Sequence, residues 1–248
     1  MKQLLNILKN NEFLPVNNGE NGKYLTKVDS EVNYLNRLKT APDDWYYRNN
    51  NNVEYLFNSK GYRAREFNQI DWLNSIVVLG ASDVMGVGLE EKHTIPAQIE
   101  KIACIPTINL GIRAASITRT LHDIVLLNEL YPAPKAVVVL WTNCERSVYY
   151  YSDHIVNCGP WNMLDYNYGA LWAQEKSNTQ INALLSQKTS KQLWKNRACY
   201  YEGTFWEDTA ILLGCQQFIE TDKSRDLTHI GINSAQEAAK IIVKGLKL

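Results

Sequence analysis

A serine that follows an apolar run and sits among glycines is the first place where this chain could do chemistry. In "SIVVLGASDVMGVG" (75–88), Ser82 comes just after such a run. A serine hydroxyl is a weak nucleophile until an imidazole takes its proton, and the imidazole needs an acceptor to fix its tautomer. Of the four histidines, one is so supplied: "DLTHIG" (226–231) sets Asp226 three residues before His229. The carboxylate can turn back onto one ring nitrogen and leave the other free. His93 in "EEKH", His122 on a predicted helix and His154 in a Tyr-rich loop read as surface or packing residues. Taken alone, D-x-x-H is also an ordinary turn pattern.

The glycines near Ser82 do not make a phosphate cradle. A P-loop needs G-x-x-x-x-G-K-[ST], but five residues separate Gly80 from Gly86 and Val87 follows. G-x-G-x-x-G is absent too, and the hydrolase elbow G-x-S-x-G fails because Val84 holds the place of its second glycine. A nucleophilic Ser82 needs a different scaffold.

The elements that would position these groups begin at residue 75. Strand-like runs "IVVLG" (76–80), "TINLG" (107–111) and "KAVVVLWT" (135–142) alternate with helical patterns near 94–104 and 117–131, the second stopped by Pro132 and Pro134. This alternation predicts right-handed βαβ units and a parallel sheet covered on both faces. Ligands of such sheets bind beyond the carboxyl ends of the strands. The polar groups there are Ser82, Gly111 and Asn143. Residues 168–198 read as mainly helical, and "SAQE" (234–237) as a capping box ahead of Ala238, Ala239, Ile242, Val243 and Leu246.

Residues 1–74 are polar and Asn-rich, and we expect an N-terminal extension that packs on the core formed by 75–248. Within it, "DSEVNYLNRLK" (29–39) predicts a helix capped by Ser30, with Val32, Leu35 and Leu38 as its apolar stripe. "VEYLFNSKGYR" (53–63) predicts a short strand, a turn and a docking segment.

Composition narrows the function classes. Lys plus Arg (26) equals Asp plus Glu (26), so the electrostatic footprint of a nucleic-acid binder is missing and a small or neutral substrate is expected. The five cysteines are scattered, without C-x-x-C spacing, and predict reduced thiols rather than a metal or redox site. "MKQLLNILKN" lacks the apolar core of a signal peptide, and no run approaches a membrane span, so a cytoplasmic protein without membrane contact is expected.

"VVLGASDVMGVG", "INLG", "WTN" and "DLTHIG" together resemble, in order and spacing, the four blocks of the SGNH (GDSL-type) hydrolase family, over residues 75–248. "EYLFNSKGYRAREF" (54–67) is similar to the lead-in segment of many bacterial and phage members. The resemblance implies a flavodoxin-like three-layer α/β/α fold and a serine esterase without metal or cofactor. Ser82 would be the nucleophile, His229 the general base and Asp226 its orienting carboxylate. The Ser82 and Gly111 N–H groups and the Asn143 amide would form the oxyanion hole. The substrate implied is a small-molecule or carbohydrate ester, such as an O-acetyl sugar.

Two departures bear on substrate. Ala81 and Asp83 flank the serine where the family has Gly-Asp-Ser, and Trp141 replaces the small residue before the block-three asparagine. Asp83 and Trp141 are therefore the expected substrate contacts, with Tyr149, Tyr150 and Tyr151 near the mouth as packing or sugar-stacking residues. Two alternatives stay open: an acyltransferase using the same residues, and a weakly catalytic scaffold that binds saccharide or protein. Each block also has a purely structural reading, with Ser82 in a turn, Asn143 capping a loop and Gly111 needed for backbone conformation.

Overall fold

The computed structural model describes residues 13, 21–25, 28–150, 155–159 and 169–247. Its strands are β1 (Ile76–Gly80), β2 (Thr107–Gly111), β3 (Ala136–Leu140), β4 (Ser147–Tyr150), β5 (Ile155–Cys158), β6 (Cys199–Thr204) and β7 (Gln216–Gln217). Five of them pair in parallel in the order β2-β1-β3-β6-β7, while β4 and β5 form a separate antiparallel hairpin.

Every residue of β1 and β3 is buried, which is why both read as unbroken apolar runs instead of alternating ones. Successive side chains still point to opposite faces. Ile76, Val78, Ala136 and Val138 pack against Ile95 and Ile99 of the helix Ile95–Ala103 and Ala238, Ala239 and Ile242 of the helix Ile232–Leu246. Val77, Leu79, Val137 and Val139 pack on the other side with Ile124 and Leu127 of the helix Ile117–Leu130 and Ala183 and Trp194 of the helix Gly169–Trp194. The result is a three-layer α/β/α fold, as expected. In chain order we call the helices α1 (Glu31–Arg37), α2 (Ser82–Met85), α3 (Ile95–Ala103), α4 (Ile117–Leu130), α5 (Gly169–Trp194), α6 (Glu207–Leu213) and α7 (Ile232–Leu246).

Two local expectations need correction. Ser30 does cap α1, its side chain accepting from the Asn33 N–H, but Val32 and Leu35 are 68% and 52% exposed. Tyr34 is the buried residue instead, with its hydroxyl donating to Tyr47 O, and Leu38 packs beside the core. Ser234 is not the cap of α7, which begins at Ile232. Asp222 covers that helix start from outside, its carboxylate accepting from the Asn233 and Ser234 N–H groups, each at 2.9 Å. Glu237 pairs with Lys240 on the surface. Strand β6 escaped notice because Glu202 interrupts its apolar pattern.

The N-terminal residues join both layers: Tyr47, Val53 and Tyr55 enter the α3/α7 side, and Tyr62, Phe67 and Trp72 the α4/α5 side. No described helix is long and apolar enough to cross a membrane.

Candidate active site

The chain leaves β1 for β2 on one flank of the sheet and then crosses to β3 on the other. The carboxyl end of β1 is thus a topological switch point, where open α/β sheets form their clefts. Ser82 stands there as the first residue of α2, 3% exposed. The N–H groups of a first helical turn lack intrahelical acceptors, so the Ser82 amide is available to a ligand. Gly86 ends α2 at φ 78°, its N–H donating to Ser82 O at 2.9 Å.

Gly111 corrects the sequence reading. It pairs with Gly80 across β1 and β2, but its N–H donates to the Asn109 side chain at 2.9 Å and is not offered to the cleft. A Cβ at Gly111 would lie 2.1 Å from Met85 N, so the glycine lets α2, which begins at Ser82, lie directly on the strand end.

The Asp226–His229 pair comes from the loop before α7. Asp226 is fully buried, and its carboxylate accepts five hydrogen bonds. Oδ1 takes the Ser224 hydroxyl (2.8 Å) and the N–H groups of Thr228 (3.0 Å) and His229 (2.9 Å). Oδ2 takes the Thr228 hydroxyl and His229 Nδ1–H, each at 2.6 Å. This saturation fixes the tautomer: Nδ1 carries the proton and Nε2 keeps its lone pair. Burial pushes the Asp226 carboxyl up, but the hydrogen bond and charge of His229 outweigh it and hold the group well below the usual carboxylate range. For His229, burial disfavours the cation, yet Asp226 and then Asp83 more than compensate, and its basicity is raised.

Ser82 and His229 line one cavity of about 190 Å³ with Asp83, Arg146, Phe205, Trp206, Glu220, Thr228 and Ile230. No hydrogen bond within 3.5 Å joins the hydroxyl to the ring, a common condition of a site without substrate. Arg146 is buried with its guanidinium 5.3 Å from the Trp206 ring centroid, and its charge opposes protonation of His229. The sequence reading had overlooked Arg146, because nothing in "NCERS" marks that arginine as inward-facing.

Asn143 follows β3, the strand beside β1. Its Oδ1 accepts the Glu145 N–H at 2.8 Å, which orients the amide and leaves Nδ2 as a donor. Asp83 lines the cavity. Trp141 does not: it is 2% exposed in the core, its indole N–H donating to Glu202, so the predicted substrate contact is withdrawn. Tyr149 lines a neighbouring cavity of about 120 Å³ with Arg146, Thr118 and Asn182. The Tyr150 side chain, Tyr151 and His154 lie outside the described residues. His93 packs edge-on against Tyr46, and His122 lies beside the Arg119–Asp123 ion pair.

Ala114 was also missed. It sits at φ 58° in the turn after β2, a left-handed conformation that costs about 1–3 kcal/mol for a residue with a Cβ and is concentrated at functional sites. Its neighbour Ala115 touches Arg146 through its carbonyl at 3.5 Å. Among the described residues no group of three His, Cys, Asp or Glu could hold a metal ion, and the five cysteines form no disulfide.

No family model and no curated protein matches the chain. Several solved structures do. A G-D-S-L family protein from Desulfitobacterium hafniense DCB-2 is 11% identical over 69% of this chain and 99% of that one, with a TM-score of 0.44. An acetyl xylan esterase from the rumen bacterium Butyrivibrio proteoclasticus is 10% identical over 72% of this chain and 64% of its own, with a TM-score of 0.46. An SGNH-hydrolase family esterase is 12% identical over 72% and 97%, with a TM-score of 0.35.

Proposed function

We propose that the chain is a serine esterase of the SGNH type that hydrolyses small acyl esters. One observation carries this reading: a fully buried, saturated carboxylate holds His229 by Nδ1, and the ring shares a cavity with Ser82 at the switch point of the sheet. Ser82 Oγ attacks the ester carbonyl carbon while His229 Nε2 takes its proton, and Asp226 stabilises the imidazolium that forms. The oxyanion rests against the Ser82 N–H and Asn143 Nδ2, with the Ala114 N–H in the part expected of Gly111. The C–O bond then breaks, His229 returns the proton to the departing alcohol, and water repeats the sequence on the acyl enzyme.

Phe205, Trp206 and Ile230 give the cavity apolar walls, and its small volume suits a short acyl group such as acetyl. Asp83, beside the nucleophile, is placed to contact the alcohol, for which a carbohydrate is the proposed class. The test is hydrolysis of p-nitrophenyl acetate together with labelling by a fluorophosphonate probe, on wild type and Ser82→Ala. Activity and labelling confined to the wild type support the proposal; equal rates in both remove Ser82 from its role. Adding an acceptor sugar and analysing products separates hydrolysis from acyl transfer.

A further inference from the structure

The base loop does not stand on its own. Arg225, next to Asp226, is fully buried, and so is the carboxylate it meets, Asp29, which is 196 residues distant in the chain. Arg225 Nε donates to Asp29 Oδ1 and Oδ2 at 3.0 and 3.1 Å, and Nη2 to Oδ2 at 2.6 Å. Nη1 donates to Asn51 Oδ1 at 2.7 Å, and Nη2 also to Lys23 O. The guanidinium lies 4.7 Å from the Tyr24 ring centroid and 5.9 Å from that of Tyr34. Every one of these partners belongs to the N-terminal segment.

The same network reaches the nucleophile's side. The Tyr55 hydroxyl donates to Asp29 Oδ2 at 2.5 Å and accepts the Gly88 N–H at 2.7 Å, just past α2. Gly88 O in turn accepts the Arg225 N–H at 3.0 Å, and Trp45 Nε1 donates to Ser224 O at 3.3 Å. Ser224 is the residue whose hydroxyl holds Asp226 Oδ1. At Gly88 a Cβ would meet Ser224 Oγ at 2.5 Å, so the two loops touch with no room between them. A fork-shaped, bidentate ion pair fixes orientation as well as charge.

We propose that Asp29 is a positioning residue: through Arg225 it sets the geometry and charge balance of the Asp226–His229 pair, so that the N-terminal segment is part of the catalytic apparatus. This rests on the esterase reading for its meaning in catalysis, though not for its physical content. Asp29 neutralises a cation one residue from Asp226. Without that carboxylate the guanidinium would turn its charge on Asp226, and the imidazolium of His229 would lose part of its support. The other charged groups facing His229 are Asp83 on α2, Arg146 after β3 and Glu220 across the cavity; Tyr24, Tyr34 and Tyr55 face the Asp29–Arg225 pair.

The experiment is an NMR titration of the histidines in wild type, Asp29→Asn and Tyr55→Phe, with His229→Gln to assign the signal. In folded Asp29→Asn the His229 midpoint should fall by about half a pH unit or more, and its low-field Nδ1–H resonance should weaken, while His93 titrates as before. Tyr55→Phe should move the midpoint the same way by less, and it carries the test if Asp29→Asn does not fold. A purely structural ion pair would change stability and leave the His229 midpoint and resonance where they were; that outcome in the folded variants overturns the proposal. The acid limb of kcat/KM should follow the NMR midpoint. A wild type with no esterase activity would sink the proposed function but leave the titration readable.

Discussion

The two halves of the site are held by different materials. Ser82 is placed by apolar packing: β1 and β3 are buried at every position, and Gly111 lets α2 rest on β2. His229 is placed by hydrogen bonds and charge: Asp226 accepts five donors from within its own loop, and its neighbour Arg225 is tied to Asp29, 196 residues away. Packing degrades gradually, because a cavity can partly collapse. A buried polar network fails abruptly, because each lost partner leaves another group unsatisfied in a low dielectric. The support of Ser82 should therefore tolerate substitution better than that of His229.

The sharpest probe is chemical. Removing the Ser82 hydroxyl with Ser82→Ala should lower kcat by on the order of 10⁶, measured on p-nitrophenyl acetate, if the hydroxyl is the attacking group as proposed. Asp226→Asn, which keeps shape but removes the charge that fixes the Nδ1–H tautomer, should cost about 10⁴ in kcat. If a folded Asp226→Asn kept wild-type turnover, the contrast between the two supports would collapse. Asn143→Ala removes one proposed oxyanion donor and should cost roughly 10² to 10³ in kcat with little change in KM.

Smaller effects sharpen the same contrast. Leu79→Ala, in the fully buried layer behind the nucleophile, should cost about 2–5 kcal/mol of stability by urea denaturation. Turnover per folded molecule should stay within about a factor of two, since the cavity lies behind the strand rather than in the cleft. The pH dependence is subtler. His229 must be neutral to act as base, and Asp226 and Asp83 raise its pKa against burial and Arg146, so kcat/KM should fall on acidification with a midpoint above the usual imidazole value of about 6.5. A midpoint below that value would show that Arg146 and burial prevail over the two carboxylates.

Much of the nucleophile's half was legible in the sequence. The β1 and β2 bounds follow from apolar runs that end at Gly80 and Gly111, and Thr94 and Ser116 cap α3 and α4 where the patterns begin. Asp226 and His229 were legible too, because a D-x-x-H turn is local and the carboxylate reaches back within four residues. What failed was direction. Trp141 was placed at the cleft and is in the core, because an unbroken apolar run does not say which face a residue after the strand's end will take. Gly111 was assigned a donor's part, but Asn109 two residues earlier claims its N–H. The stripe on α1 was misjudged because Tyr34, amphipathic, outweighs two aliphatics once Trp45 and Tyr47 are there to pack on it.

By itself the sequence determined the period and order of the elements, the reactive residue types and the short-range pairing of Asp226 with His229, since these depend on neighbours within a few residues. Only the tertiary structure decided that Asp29 meets Arg225, that Arg146 turns into the cleft and that Trp141 turns away from it. Those choices are made by burial and by satisfying buried charge, and both depend on segments that lie up to about two hundred residues apart.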